Sequence, residues 1–477
     1  MNPSGYPKEQ MRMSMNLKFL LSAAICAAGW AQGAAAIGNL ELIAVGSLGG
    51  TNDLSGLTGN LENGLAKSIL GGVGSGLAYA GNNLFYATPD RGANATAWNS
   101  AVEDTTSYIS RFHTLSMNLS ATASGAFAYT LVPTLQATTK LYSPTALVYG
   151  TVGSGGVSGT PSENSVGVNY FTGRSDGYDA TQNSVSPNNG RFDPEAIRMS
   201  NDGSKVYVSD EYGAYLYEFD KATGARTRAF ALPGNLAVAT QGPTTASEGS
   251  PTNTTGRVAN KGMEGLAITP DGSKLIGVMQ APLLQDTNKS VRIVTVDIAS
   301  GTTHEYAYQL TTGSGISEIL AINNDEFLVD ERDGKGLGDG TNAVVKQLFK
   351  INLSGATDVT SMAGDLAAQK VTKSLFLDVK SALNAKGITS AQVPAKMEAM
   401  AWGADIIDSG ELFHTLYLAN DNDFVPGIAG GNNFYVFAVK ASDLPSFQAQ
   451  AVPLPAAAFL MAPALAGMVG LRRRRRA

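Results

Sequence analysis

"DPEAIRMSNDGSKVYVSDEYG" occupies residues 193–213, and "GMEGLAITPDGSKLIGVMQAP" occupies residues 262–282. The two align with Glu195 on Glu264 and Asp202-Gly-Ser-Lys on Asp271-Gly-Ser-Lys. Their continuations align as well, "DKATGARTRAFAL" from Asp220 with "DIASGTTHEYAYQL" from Asp297. A unit that recurs at such a spacing marks a repeat architecture rather than a single irregular domain. Ile197 and Met199, and likewise Leu266 and Ile268, alternate with other residues at period two, as strands do. Asp-Gly then makes a hairpin turn, a second apolar strand follows, and a third begins at Ala214 or Val291.

Weaker copies extend the pattern. "SEILAINNDEFLVDERDG" carries Glu318 and Asp330, "MEAMAW" carries Glu398 ahead of Asp421, and "SGLAYAGNNLFYATPDRG" carries Ser75 and Asp90. Five units are visible. Repeated four-stranded antiparallel units predict an all-β fold, a β-propeller of four-stranded blades. The body is long enough to favour six blades, with five or seven as alternatives. The strand "LELIAVGSL" (40–48) is placed to complete the last blade. Residues 151–190, rich in Gly, Ser and Asn, read as a long loop, a lid or an insertion. Residues 371–387 read as a short helix between units.

The ends differ from this body. Residues 1–36 have a lysine, an apolar run and an Ala34-x-Ala36 ending, the pattern of a secretory signal peptide. The one cysteine, Cys26, lies within it, so the mature chain is expected to have no disulfide and no Cys ligand. Residues 37–450 carry 26 basic and 39 acidic side chains, which argues against nucleic acid as a partner. Residues 451–477 hold an apolar run, Leu454 to Leu471, followed by five arginines. That order predicts a transmembrane anchor with a positive-inside stop. With Val452-Pro453-Leu454-Pro455 at its head it also resembles the PEP-CTERM sorting signal. That resemblance implies export and recognition by exosortase-type sorting machinery, with the product at the cell envelope, periplasm or surface.

In each unit the start of one strand and the end of the next share an edge. If these strands are innermost, their acids surround one mouth of the central channel. The expected ring is Asp90, Asp193, Glu195, Asp210, Glu211, Glu264, Glu318, Asp330, Glu331, Glu398 and Asp421. Crowded carboxylates raise one another's pKa unless a cation, a basic side chain or a retained proton relieves them. Arg91, Arg191, Lys261, Arg332 and Lys396 are interleaved among them. Salt bridges between blades are therefore one reading and a calcium site is the other, calcium being suited to carboxylate and carbonyl oxygens. His113, His304 and His414 share no spacing and read as structural, which leaves little support for zinc. "GVGSG" (72–76) is not a nucleophile elbow.

The units beginning at Asp193, Asn260 and Lys396 resemble the esterase-like phytase domain, a bacterial β-propeller family. The resemblance spans most of residues 40–440 and implies hydrolysis of a small-molecule phosphoester or ester. By position it implies Glu195, Glu264, Asp210, Glu211 and Glu398 as catalytic groups. Arg91, Lys261 and Arg332 would face the substrate, and Asp90, Asp193, Glu318, Asp330, Glu331 and Asp421 would serve the metal. A lactonase on the same scaffold and a non-catalytic surface or matrix-binding protein are the competing expectations.

Overall fold

The computed structural model describes residues 37–95, 105–150, 159–213 and 215–452. The predicted signal peptide and most of the predicted sorting segment lie outside the described residues. Among the described residues no helix is long and apolar enough to cross a membrane.

Five antiparallel sheets carry the fold, four of them four-stranded and the fifth with a short extra strand, Ile406–Asp408, beside its four. Blade 1 is built from Gly76–Gly81, Leu84–Thr88, Arg111–Ala121 and Tyr129–Lys140. Blade 2 holds Pro194–Met199, Lys205–Asp210, Tyr215–Asp220 and Arg226–Phe230. Blade 3 holds Met263–Ile268, Lys274–Met279, Ser290–Asp297 and Thr303–Gln309. Blade 4 holds Gly315–Ala321, Glu326–Arg332, Lys346–Asn352 and Lys373–Asp378. Blade 5 takes Met397–Trp402, Glu411–Asn420 and Asn432–Lys440, and its outermost strand is Leu40–Leu48. That last strand pairs antiparallel with Asn432–Lys440 and closes the ring, as its sequence suggested.

The first strand of every blade touches the first strand of the next, and blade 5 returns to blade 1. The ring therefore closes on five blades, within the expected range but below the favoured six. Chain length misled the count because long insertions, at 141–192 and 231–261, join blades without forming one. A small ring forces its inner strands close together. A Cβ on Gly76 would lie 2.7 Å from the Ile197 nitrogen, and one on Gly265 would lie 2.7 Å from the Glu318 Cα. The channel-lining positions are accordingly small in four blades, Gly76, Ala196, Gly265 and Ala399.

The inner strands are buried on both faces. All six residues of Met263–Ile268 are buried, because neighbouring blades cover the strand on either side. The cores lie between blades: Leu266, Val278 and Ile293 of blade 3 pack with Ile316 and Ile319 of blade 4. Each such side chain withdrawn from water contributes about 1.5–3 kcal/mol. At the hairpin turns Gly203 and Gly272 adopt φ of 69° and 75°, the left-handed conformation that glycine tolerates. Residues 371–387 divide into the outer strand of blade 4 and a helix limited to Val379–Ala385, capped by Asp378 on the Ser381 N–H. Period-two apolar residues at Leu375 and Leu377 belong to the strand and not to the expected helix.

The insertion at 159–192 is packed against the mouth. Tyr212 donates its hydroxyl to the Gly173 carbonyl at 2.9 Å. Arg191 and Arg257, from the two insertions, meet on buried Glu248 at 2.7 and 2.6 Å. Together they form a fixed wall beside Glu211.

Candidate active site

The register of each inner hairpin fixes what reaches the mouth. Met263 pairs with Met279 and Gly265 with Val278, so Glu264 bulges out between them. Glu398 does the same between Met397 and Ala399, and Glu195 lies in the irregularity between Pro194 and Ile197. In blade 4 the bulged residue is Ser317, since Ile316 pairs with Glu331 and Glu318 with Asp330. Counted this way, the residues at the mouth are Ser75, Glu195, Glu264, Ser317 and Glu398. At or just past the ends of the second strands stand Asp90, Glu211, Gln280, Arg332 and Asp421.

Two groups of carboxylates result. In the first, one oxygen each from Asp193, Glu195 and Glu211 lie within 4.8 Å of one another, and all three residues are buried. Arg91 Nη1 stands 2.9 Å from Asp193 and 3.8 Å from Glu211. The same nitrogen meets Asn260 Oδ1, and the Arg91 backbone N–H donates to Asp193 at 2.9 Å. The Glu211 carboxyl lies against that of Glu264, close enough for a retained proton to link the two. In the second group, oxygens of Asp90, Asp421 and Asp423 also lie within 4.8 Å. Here Lys396 is seated directly, 2.9 Å from Asp421 and bonded to Asp423. Between the groups, Arg332 joins Glu398, Glu264 at 3.6 Å and the Ser317 hydroxyl. Glu264 also reaches the Gln280 side chain.

The electrostatics follow from burial. Removal from water, with Glu264 and Asp193 next to it, pushes Glu195 well above the ordinary carboxylate range. Glu211 rises well up for the same causes. Burial and then Glu398 raise Glu264 to about 7. Burial raises Asp421 to about 7 against the pull of Lys396, and burial with Asp421 beside it pushes Asp90 well up. Lys396 moves well above its usual value, because Asp421, Glu398, Asp423 and Asp90 outweigh its own desolvation. The mouth thus holds carboxyl groups that retain protons near neutrality.

Not every expected residue arrives there. Asp210 faces into its own turn and accepts the N–H groups of Asp193 and Tyr212 at 3.0 Å. Glu331 turns away from the mouth into the buried space between blades 3 and 4, where it meets Lys373 at 2.6 Å and the Tyr308 hydroxyl at 2.8 Å. Burial would raise Glu331, but Lys373 and the Gly313 N–H overcome it and hold the carboxyl at about 2. Glu318 sits inside the channel, 2.8 Å from Arg198, because the bulge falls one residue earlier than in the sister blades. Asp330 is its buried register partner. Lys261 is exposed on the rim, and the contact from that turn comes from Asn260.

Asp423, Asn260 and Ser317 were not anticipated. Asp423 lies two residues past Asp421 in "NDND", a doubling that was visible, but Asn260 and Ser317 carry no repeated signal. His113 bonds Thr138 and His414 bonds Asp405 within their own blades, while His304 of blade 3 bonds Asp358 in a loop of blade 4, so none of the three reaches the mouth.

The model of the family described as phytase-like, esterase-like activity of phytase, matches residues 68–424. An "Uncharacterized secreted protein" of Arthroderma benhamiae is 29% identical over 221 residues, 38% of this chain and 43% of the relative. The chain thus spans less than half the length of that curated relative. Among solved structures, the Cps50 (Swd1) β-propeller domain of Myceliophthora thermophila is 9% identical. It covers 48% of this chain and 51% of its own, with a TM-score of 0.23. The Dos1 propeller is 9% identical over 82% of this chain and 72% of its own, with a TM-score of 0.28.

Proposed function

The chain belongs to the phytase-like family, and from that premise we propose that it is an exported, metal-assisted hydrolase of phosphoesters. The Asp193–Glu195–Glu211 group carries this reading: three buried carboxylates converge, with the Arg91 guanidinium at their edge. An all-oxygen, hard-donor set of this kind suits calcium. Asp193, Glu195 and Glu211 would hold the ion. When bound, it would polarise a phosphoryl oxygen and offset charge in the transition state.

The chain's own groups divide the remaining work. Arg91 and Arg332 flank the glutamates and orient anionic oxygens of the substrate. Glu264, half-protonated near neutrality, takes the proton of the attacking water as general base. Glu398 fixes Arg332, and Asp210 braces the turn that delivers Glu211. Lys396 keeps the second carboxylate group neutralised, so that Asp90 and Asp421 shape the field of the mouth.

Location belongs to the same proposal. Residues 1–36 direct export, and residues 451–477 engage exosortase-type sorting machinery or the membrane. The secreted relative supports export.

The test is an assay of residues 37–450 on nitrophenyl phosphate, bis-nitrophenyl phosphate and simple lactones, with calcium and with chelator. Calcium-dependent phosphoester turnover is expected. Lactone turnover alone would reassign the same groups to carboxylic esters. No turnover, with a melting point unmoved by chelation, would leave a non-catalytic binding protein.

A further inference from the structure

Glu248 belongs to neither carboxylate group of the mouth, and the reaction proposed there does not use it. It lies on the insertion that joins blades 2 and 3 and is 5% exposed. Its carboxylate accepts from Arg191 Nη2, from Arg257 Nη2 and, at 3.0 Å, from the Gly242 N–H. Asn253 holds its backbone, donating to the Glu248 carbonyl at 2.8 Å. Burial would raise the Glu248 carboxyl, but Arg257 and Arg191 overcome it and hold the group below its ordinary range. Glu248 is therefore an anion fixed between two guanidinium groups that are themselves buried.

Both arginines lead to the first carboxylate group. Arg257 Nε donates to the carbonyl of Tyr212, the residue that follows Glu211. The Arg191 guanidinium lies 5.1 Å from the centre of the Tyr212 ring, and Arg191 itself stands two residues before Asp193. Its Nη1 donates to the carbonyls of Ser175 at 2.9 Å and Gly242 at 3.1 Å, so the two insertions share it. The Tyr212 hydroxyl is tied to Gly173. Asp193 and Glu211 meet through their backbones, the Glu211 N–H donating to the Asp193 carbonyl at 3.0 Å. Tyr212 is thus gripped at its ring, hydroxyl and carbonyl. A contact that only pinned the insertion down would not need to reach Tyr212. Arg257 does so with Nε while Nη2 stays on Glu248, a two-ended use of the planar guanidinium that lysine does not offer.

We infer that Glu248 is a positioning residue for the Asp193–Glu195–Glu211 group, fixing through Arg191 and Arg257 where Glu211 stands relative to Asp193. This role rests on the proposal that the group is a cation site. Calcium takes its oxygens at about 2.3–2.6 Å, so a carboxylate that drifts by a fraction of an ångström gives up part of the coordination. Removing a partner that orients metal ligands from behind costs about 10–100-fold in metal affinity.

Calorimetric titration of the full-length protein with calcium chloride tests it, with the melting temperature in chelator as the fold control. Glu248→Gln keeps the shape of the side chain and removes its charge, and should weaken calcium binding about 10–100-fold. Arg257→Lys keeps a cation on Glu248 and gives up the bond to Tyr212. It should weaken binding about tenfold, and as the milder change it keeps the test valid if Glu248→Gln does not fold. Asp286→Asn is the structural comparison. It breaks a buried pair of blade 3, Arg292–Asp286, whose arginine bonds Glu305 and the carbonyls of Val359 and Met362 rather than the mouth. That variant should melt lower and bind calcium as the wild type does. Folded Glu248→Gln and Arg257→Lys that bind calcium as tightly as the wild type would overturn the role of Glu248 and leave the cation site standing. Equal weakening in Asp286→Asn would overturn it as general loosening. A wild-type protein that takes up no calcium would overturn the cation site and the role of Glu248 together.

Discussion

The two carboxylate groups at the mouth look alike in composition and differ in what neutralises them. Asp90, Asp421 and Asp423 have a lysine seated among them, at 2.9 Å from Asp421. Asp193, Glu195 and Glu211 have no lysine among them; the edge of Arg91, which also meets Asn260, bonds Asp193, and Arg332 acts on Glu195 from farther off. A buried charge must be paired, protonated or metal-bound. The first group has met that demand with a seated ammonium, and the second with carboxyls that rise well above their ordinary range and with a guanidinium at its edge. The lesson is that an acidic cluster becomes a candidate cation site through what it lacks, since the same three carboxylates with a resident ammonium are structural.

The strongest break of this comparison is Glu211→Gln set against Asp423→Asn. The first should cost about a thousandfold in phosphoester turnover, several kcal/mol of transition-state stabilisation, and should abolish the rise in melting temperature with calcium. The second should leave turnover within about threefold, because Lys396 still holds Asp421. Equal losses would make the two groups one site. Next in size, Glu264→Gln should reduce turnover by about 10²–10⁴-fold, the usual contribution of a general base. It should also remove the limb of the pH–rate profile near 7, and a surviving limb would assign that proton elsewhere.

The pH dependence of stability probes the same contrast. Glu264 and Asp421 are raised to about 7 in the folded protein, whereas unfolded carboxylates titrate near 4. Their contribution is therefore present below about pH 4 and lost as pH rises through 7. Chelated protein should melt several degrees lower at pH 8 than at pH 5, and calcium should reduce the difference. Glu331, held at about 2 by Lys373, has the opposite sign: its contribution is present above the ordinary range and lost as pH falls toward 2. Calorimetry at four pH values with and without chelator would separate the two.

A smaller effect is expected of Lys396→Met, which unseats the ammonium. It should cost about 1–2 kcal/mol without calcium, and added calcium should recover most of it by converting the closed group into an open one. Failure of calcium to rescue would show that geometry, not charge, separates the groups. Smallest of all, Ser317→Ala should slow turnover about threefold through looser placement of Arg332, with the melting point unchanged.

Much of this was legible in the chain. The matched hairpins at 193–213 and 262–282 located the blades, the mouth and the bulged glutamates Glu195, Glu264 and Glu398. What could not be read was strand parity. A one-residue slip exchanges the faces of a strand, and the bulge in blade 4 falls on Ser317, which sends Glu318 down the channel to Arg198. The same parity separates Asp210 from Glu211, and Glu331 from Arg332. Neighbours in sequence, they serve a turn or a blade flank in one case and the mouth in the other. Blade number was hidden because insertions and blades have similar lengths and similar glycine-rich turns.

Blade 5 carries Glu398 and Asp421 on strands made near the end of the chain, yet its outer strand, Leu40–Leu48, is made first. That strand waits with an unpaired edge, an aggregation hazard, until the last blade has emerged. Closing so long a loop is slow. The acidic mouth is therefore assembled only when synthesis of the body is finished, and a truncated or stalled chain presents no complete set of carboxylates. A cation bound there would report that the ring has shut, and a protease cutting between residues 48 and 76 would release the clasp and leave the carboxylates of the mouth in place but ungathered.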